Sequence, residues 1–143
     1  MADQQFEIVE FDNLTHRSQV IELWQTVFGY EADHNSPETA IDKKIEMKDH
    51  LFFVAQQDGS LFGTAMAGYD GHRGWIYSIA VHPAHRKNGI GSKLLTHVET
   101  KLIDLGCLKV NLQILEENSS VRRFYEANGF LVEKRVSMGK KLY

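Results

Sequence analysis

The first third of the chain alternates between a strand-like segment and two helical patterns. Residues 6–11 alternate loosely between apolar and polar positions, which is typical of a strand. Apolar residues then recur at helical spacing over 20–28, and Gly29 ends that helix. A loop is predicted at 30–35, followed by a helix over about 36–48 that begins with an N-cap serine and a proline. The apolar face of this second helix is thin, so we expect it to be peripheral.

The middle of the chain predicts a three-stranded antiparallel meander over residues 50–82. Turn-forming segments at 57–60 and 70–74 separate three strand-like runs, and such turns connect antiparallel neighbours. A basic segment punctuated by glycines, residues 85–92, then leads into an amphipathic helix that ends before Gly106.

The last third predicts a parallel strand, a helix and a closing pair of strands. Residues 108–114 alternate cleanly, and a crossover helix joins them to the strand at 75–82. We therefore expect these two strands to lie parallel, with a right-handed connection. A final helix begins at Asn118, and residues 130–136 and 138–143 are predicted to pair as two closing strands.

Length and composition fit one ordinary globular domain. The chain has 143 residues, of which 43% are hydrophobic, and we expect residues 1–143 to form a single domain. The predicted elements define an α/β (α+β) fold, in which helices flank a mixed central sheet. Sixteen basic and nineteen acidic residues give a net charge of −3, which argues against a nucleic-acid-binding protein. The single cysteine, Cys107, suits a reducing compartment, and we expect a cytoplasmic protein without a signal peptide or membrane span.

The segment 85–92 carries the clearest chemical signal. A strand, a glycine-rich turn and a helix in succession present free backbone N–H groups to an anion. Gly89 and Gly91 permit positive φ and close approach of the backbone, and Arg86 and Lys87 add positive charge. These features predict a diphosphate-binding turn. Taken by itself, the segment is also compatible with an ordinary strand-to-helix turn carrying solvated basic side chains.

Two motifs in register resemble the GCN5-related N-acetyltransferases (GNAT). Residues 80–83 and 86–91 fit the acetyl-CoA loop of that family, R/Q-x-x-G-x-G/A, and residues 118–130 are similar to its end motif, N-x-x-A-x-x-[LF]-Y-x-x-x-G-F. The order and spacing of the two motifs around the intervening helix also match. A narrower likeness, in residues 68–74 and 137–142, is to the bacterial YpeA-type branch.

The resemblance implies a GNAT fold with two splayed parallel strands, and an enzyme that transfers acetyl directly from acetyl-CoA to a primary amine. It implies that the glycine turn binds the coenzyme A pyrophosphate, while Arg86 either contacts the ligand or shapes the turn. The strand before the turn and Asn118, which is equally a plain N-cap, would bind the pantetheine arm. The implied cofactor-binding residues are Ile79, Ala80, Val81, Arg86, Lys87, Asn88, Gly89, Ile90, Gly91, Ser92, Asn118 and Tyr125.

Tyr125 is the expected catalytic residue. Acetyl transfer to an amine expels a thiolate, and a thiol has a pKa of about 8.5 whereas a tyrosine has a pKa of about 10. Tyrosine is therefore protonated at neutral pH and can donate its proton to the departing sulfur. The resemblance implies this general-acid role for Tyr125; a core aromatic residue beside Phe124 is the alternative.

The general base stays unassigned at the level of sequence. Trp75 and Gln113 occupy the positions at which many relatives carry a glutamate, and neither is a base. Each candidate is also compatible with a solvated surface group, and some relatives rely on ordered water. The candidates near these positions are Asp70, His72, Glu116, Glu117 and, through a water, Tyr77.

The expected partners are a coenzyme A thioester and an amine acceptor, with no nucleic acid and no membrane, in a monomer or homodimer. Glu31, Asp33 and Asp70 make the loops near the acceptor side acidic, so we expect a cationic amine from a small molecule or a protein. No metal site is expected, because Pro83 and a turn separate the two nearest histidines. Two other functions stay open: an acetyl-CoA sensor without turnover, and transfer of a longer acyl group.

Overall fold

A computed structural model describes residues 5–29 and 36–143, so the loop predicted at 30–35 lies outside the described residues. The described strands form one five-stranded sheet in chain order. A short 3₁₀ turn, Pro83–His85, precedes the third helix. The elements in chain order are β1 (Glu7–Glu10), α1 (Asn13–Val27), α2 (Pro37–Met47), β2 (Phe52–Gln57), β3 (Ser60–Tyr69), β4 (Gly74–Val81), α3 (Ile90–Asp104), β5 (Val110–Leu112) and α4 (Ser119–Ala127).

The strand pairing confirms the predicted meander and the predicted parallel pair of strands. β1 pairs antiparallel with β2, and β2, β3 and β4 form the antiparallel meander. β5 lies parallel to β4, as the crossover through α3 predicted. Helices therefore flank a mixed sheet, and this is the α/β (α+β) architecture expected from the sequence.

Alternation along β2 distributes its side chains to the two faces of the sheet. One face packs against α1 and α2, and the other packs against α3. Ile41 on α2 is fully buried in the first of these layers, so α2 contributes more to the core than its thin apolar face indicated. The buried residues of this layer are Val20, Leu23, Trp24, Ile41, Phe52, Val54, Met66 and Ala80.

The layer beneath α3 is built from the apolar face that the sequence predicted for this helix. Its buried residues are Ile90, Leu94, Leu95, Val98 and Leu102. Gly63 gives Leu94 room, because a Cβ on this glycine would lie 3.1 Å from the Leu94 Cδ1. At the other end of the helix, Gly106 has a φ of +90°, a conformation that L side chains rarely adopt, and it ends the helix as predicted.

The chain divides into two compact units, Met1–Leu112 and Gln113–Tyr143. The second unit contains α4, which begins at Asn118: this side chain accepts a hydrogen bond from the Val121 N–H at 3.4 Å. Throughout the described residues, no helix is long and apolar enough to cross a membrane.

The closing pair of strands predicted for residues 130–136 and 138–143 is wrong. The structure contains no strand in either segment, and the Arg135 N–H instead donates a local bond to the Glu133 carbonyl at 2.9 Å. A strand is stabilised by hydrogen bonds to a neighbour, and a lone hairpin is at best marginally stable in water. Alternation of apolar and polar residues is therefore compatible with a strand but does not by itself supply its partner.

Candidate active site

The N-terminus of α3 is open to an additional hydrogen-bond acceptor. Gly89 is the N-cap residue, with a φ of +76° and no side-chain hydrogen bond to the helix. Among the helices at 5–29 and 36–143, α3 alone begins without a side-chain cap, whereas Asp12, Ser36 and Asn118 cap the others. The first-turn N–H groups of α3 therefore remain for an external anion, and the helix dipole favours negative charge there.

The turn before α3 is tied to the end of β4. Lys87 has a φ of +71°, a left-handed conformation that bends the chain toward Gly89. The Arg86 Nε donates a hydrogen bond to the Val81 carbonyl at 3.1 Å. This contact supports one of the two roles that the sequence left open for Arg86, the role in which it shapes the turn.

β4 extends beyond its pairing with β5. The two strands are in register at three positions, from Gly74 opposite Val110 to Ile76 opposite Leu112. β5 ends there, while β4 continues to Val81. From residue 77 onward β4 is not in register with β5. A strand edge that lacks a partner strand can pair with the amide groups of an extended ligand.

A β-bulge interrupts β4 within this stretch, and the hydrophobic pattern of the strand does not predict it. The register with β3 shifts between Thr64 and Met66, so that Ser78 and Ile79 together stand opposite Ala65. Ser78 has a φ of +54°, which is unusual for a residue other than glycine. Bulges re-aim backbone groups and side chains and are frequent next to active sites.

A buried hydrogen-bond relay holds the bulge. The indole Nε1 of Trp24 donates to the Thr64 hydroxyl at 2.8 Å, and this hydroxyl donates to the Ser78 carbonyl at 2.9 Å. Both side chains have 0% of their surface exposed. The signal in the sequence was the Thr64 hydroxyl within the otherwise apolar run 61–67 of β3.

Tyr125 and Asn118 lie in the second unit. The Tyr125 ring is half-buried and makes edge-on contacts with Phe124, at 5.1 Å between centroids, and with Phe130, at 5.6 Å. Burial raises the pKa of Tyr125 to about 12, because a desolvated phenolate is unfavourable. The phenol is thus protonated at neutral pH. The other predicted cofactor-binding residues, 79–81 and 86–92, lie in the first unit on β4, the turn and the start of α3.

Asp70, a candidate for the general base, and Gln113, at a position where many relatives carry a glutamate, both have structural partners. The Asp70 carboxylate accepts hydrogen bonds from the Arg73 N–H at 2.7 Å and the His72 N–H at 2.8 Å, and these bonds lower the pKa of Asp70. A carboxylate stabilised in this way is a weak base, and Asp70 organises its turn. Gln113 donates a hydrogen bond to the Ser137 hydroxyl at 2.7 Å.

Lys44 is a buried charge on α2. Its ammonium group forms an ion pair with Asp49 at 2.7 Å and donates a hydrogen bond to the Ala67 carbonyl. It also lies 5.4 Å from the ring centroid of Tyr77. These contacts join α2 to β3 and β4, and they support the aromatic ring at the start of the open β4 edge. In sequence, Lys44 was indistinguishable from a lysine on a solvated helix face.

Solved structures of N-acetyltransferases share this fold. A structure of PaiA N-acetyltransferase from Thermoplasma acidophilum in complex with coenzyme A superposes with a TM-score of 0.79 at 21% identity, covering 93% of this chain and 94% of that chain. A structure of aminoglycoside N-acetyltransferase AAC(6')-Iy in complex with CoA superposes with a TM-score of 0.78 at 24% identity, covering 97% and 96%.

Sequence comparison assigns the chain to a family, which the shared fold alone does not do. An uncharacterized N-acetyltransferase of Yersinia pestis is 39% identical over 108 residues, which make up 76% of this chain and 77% of that protein. The profile of the acetyltransferase (GNAT) family matches residues 17–130, a span that includes the α3 turn and Tyr125. The chain belongs to the acetyltransferase (GNAT) family and is an enzyme of that class.

Proposed function

We propose that the protein transfers the acetyl group of acetyl-CoA directly to a primary amine of a small molecule or a protein, in a ternary complex. The observation that carries the proposal is the N-terminus of α3. Its N-cap residue, Gly89, is left-handed and has no side chain that could cap the first-turn N–H groups. An uncapped helix start of this kind suits a diphosphate such as that of coenzyme A. The coenzyme A bound in the PaiA and AAC(6')-Iy structures supports this choice of donor.

The donor is expected to lie along two consecutive elements of the first unit. Backbone N–H groups from Lys87 to Ser92 would hold the pyrophosphate, and the β4 backbone over residues 79–81 would pair with the pantetheine amides. Asn118 would add a contact to the pantetheine arm besides capping α4. The support for the β4 contact is the length of strand that continues past the end of β5.

The chemical step needs one proton donor and one proton acceptor. The neutral amine attacks the thioester carbonyl carbon, the C–S bond of the tetrahedral intermediate breaks, and the sulfur takes a proton from Tyr125. The raised pKa of Tyr125 supports this role, because the phenol holds its proton until a thiolate forms nearby. The amine loses its own proton to water, since no carboxylate occupies positions 75 and 113.

The acceptor is proposed to be a cationic amine. Asp70 supports this, because its carboxylate is exposed and its pKa is lowered, so it is charged at neutral pH. Glu31 and Asp33, which also motivated this expectation, lie outside the described residues.

We further infer one domain over residues 1–143, which acts in the cytoplasm as a monomer or homodimer. The family match extends across both units and supports the single domain.

A non-catalytic acetyl-CoA sensor is the second candidate function. It is favoured by the absence of a glutamate at the positions that Trp75 and Gln113 occupy.

Titration calorimetry with acetyl-CoA, CoA and longer acyl-CoAs tests the donor, and we expect binding to acetyl-CoA and CoA. Thiol release in the presence of a panel of cationic, neutral and anionic amines then tests turnover. Release that depends on cationic amines supports the enzyme; binding without release by any amine supports the sensor, and no binding refutes both.

A further inference from the structure

The Thr64 hydroxyl has a defined direction within its relay. An indole N–H can only donate, so Thr64 must accept from Trp24 and use its own hydrogen for the Ser78 carbonyl. Thr64 is the residue of β3 whose hydroxyl is enclosed at the centre of the sheet, with 0% of its surface exposed. Because a buried hydroxyl with two partners cannot rotate freely, the relay fixes the position of the Ser78 carbonyl.

This carbonyl belongs to the strained residue of the bulge. Ser78 adopts a φ of +54°, and conformations of this kind persist where the surrounding structure holds them in place. The bond from Thr64 is such a restraint, and it is made by a side chain of the neighbouring strand. The bulge geometry therefore depends on a hydroxyl as well as on the local sequence of β4.

The same restraint directs a backbone donor. The Ser78 carbonyl and the Ile79 N–H belong to one planar trans peptide group, so they point in opposite directions. Thr64 holds the carbonyl on the β3 side, which directs the Ile79 N–H away from β3. This is the side of β4 on which the register with β5 has already ended, at Ile76.

We propose that Thr64, oriented by Trp24, is a positioning residue that holds the Ser78–Ile79 peptide group with its N–H facing the thioester carbonyl of bound acetyl-CoA. The inference rests on the proposed function, because it requires the donor to lie along β4. A fixed N–H at this carbonyl stabilises the oxyanion of the tetrahedral intermediate. Thr64 itself touches no reactant and acts through the peptide group.

Four variants separate positioning from stability. Thr64→Val removes the hydroxyl at nearly constant volume, Thr64→Ser retains it, and Trp24→Phe removes the N–H that orients it. Ile41→Val is the matched control, because Ile41 is equally buried in the same layer but has no part in the relay. The readout is the infrared C=O stretch of acetyl-CoA, isotope-labelled at its carbonyl carbon and bound to each protein, together with its affinity by calorimetry.

We expect wild-type protein to lower the C=O frequency relative to free acetyl-CoA. Thr64→Val should move the band back toward the free value, Trp24→Phe should move it by less, and Thr64→Ser and Ile41→Val should keep it in place. Affinity should change less than about twofold in all of them, since one hydrogen bond to the acetyl group is a small part of the contact. Turnover with any active amine should fall roughly tenfold in Thr64→Val, less than on outright loss of an oxyanion donor.

A band in Thr64→Val identical to that of wild type would overturn the inference while leaving the proposed function intact. If Thr64→Val does not fold by circular dichroism, an unshifted band in Trp24→Phe overturns it in the same way. Absence of acetyl-CoA binding by wild-type protein is a different failure, because it removes the proposed function and the inference together.

Discussion

Tyr125 keeps its phenol in a half-buried position between two aromatic rings. The sequence offered two interpretations, a general acid and a packing residue beside Phe124, and the contacts with Phe124 and Phe130 show that the ring does pack. Packing and acid catalysis are compatible, because burial also raises the pKa of the hydroxyl to about 12. Removing the hydroxyl while keeping the ring therefore tests the general-acid role separately from the packing role.

Replacing Tyr125 by phenylalanine should lower kcat by about 10²- to 10⁴-fold, the usual range for general-acid catalysis, with the Kd for acetyl-CoA nearly unchanged. Thiol-release kinetics and calorimetry measure the two quantities. Tyr143→Phe, at an exposed tyrosine, is the control and should retain full activity.

Wild-type activity should show no loss from Tyr125 ionisation below about pH 11, because the folded pKa is raised above the ordinary value of about 10.

The raised pKa also determines the sign of a stability effect. Below about pH 10 Tyr125 is neutral in both folded and unfolded chains, so its burial stabilises the fold fully. Between about pH 10 and the folded pKa of about 12 the unfolded chain loses the proton first, and this stability declines. Urea midpoints should therefore fall more steeply with pH in wild type than in Tyr125→Phe. Parallel curves would show that the hydroxyl is not buried.

At the scale of elements, α3 and β4 meet at a glycine. A Cβ on Gly74 would lie 2.9 Å from both the Cys107 Sγ and the Leu102 Cδ1, which is closer than a Cβ normally approaches other heavy atoms. The first residue of β4 is therefore small because the end of α3 packs directly over it. This contact lies at the position where β4 begins and where its pairing with β5 also begins, at Gly74 opposite Val110.

Gly74→Ala should reduce the free energy of unfolding by about 1–3 kcal/mol, as expected for overpacking in a core. Urea denaturation followed by circular dichroism measures the change. Gly139→Ala is the matched control, because a Cβ there meets nothing within 4 Å, and it should stay within about 0.5 kcal/mol of wild type. Equal stability of the two variants would contradict the close packing of α3 on β4.

The elements that local chemistry defines were predictable. Side-chain caps at Ser36 and Asn118 begin two helices where the sequence placed them, and left-handed glycines follow helix ends at 29 and 106. α1 begins earlier than the helical spacing over 20–28 indicated, directly after its cap at Asp12. The closing strands were not predictable, because a strand needs a partner that local pattern does not provide.

At the scale of the whole molecule, residues of distant sequence meet in the sheet. The relay from Trp24 to Thr64 joins residues that are 40 positions apart, and the Lys44 contact with Ala67 joins residues 23 positions apart. Contacts of this range are made when the sheet and its helices assemble. Both contacts lie within the first unit, Met1–Leu112.

Calorimetric unfolding of the full chain should give one transition, with calorimetric and van't Hoff enthalpies in agreement, as is usual for one domain of this length. Added acetyl-CoA should raise its midpoint, because a ligand that binds only the folded state stabilises it. Two resolved transitions would instead show that Met1–Leu112 and Gln113–Tyr143 unfold independently.

The sequence by itself determined the order of elements, the glycine turn and the family motifs, because periodicity, capping and turn conformation depend on residues a few positions apart. The candidate diphosphate site belongs to this class, since Gly89 and the first turn of α3 are neighbours in the chain. Only the tertiary structure decided that Ser78 forms a bulge, that Thr64 holds it, and that Lys44 is buried. These features depend on which side chain of one element reaches the backbone of another, a distance that no local pattern encodes.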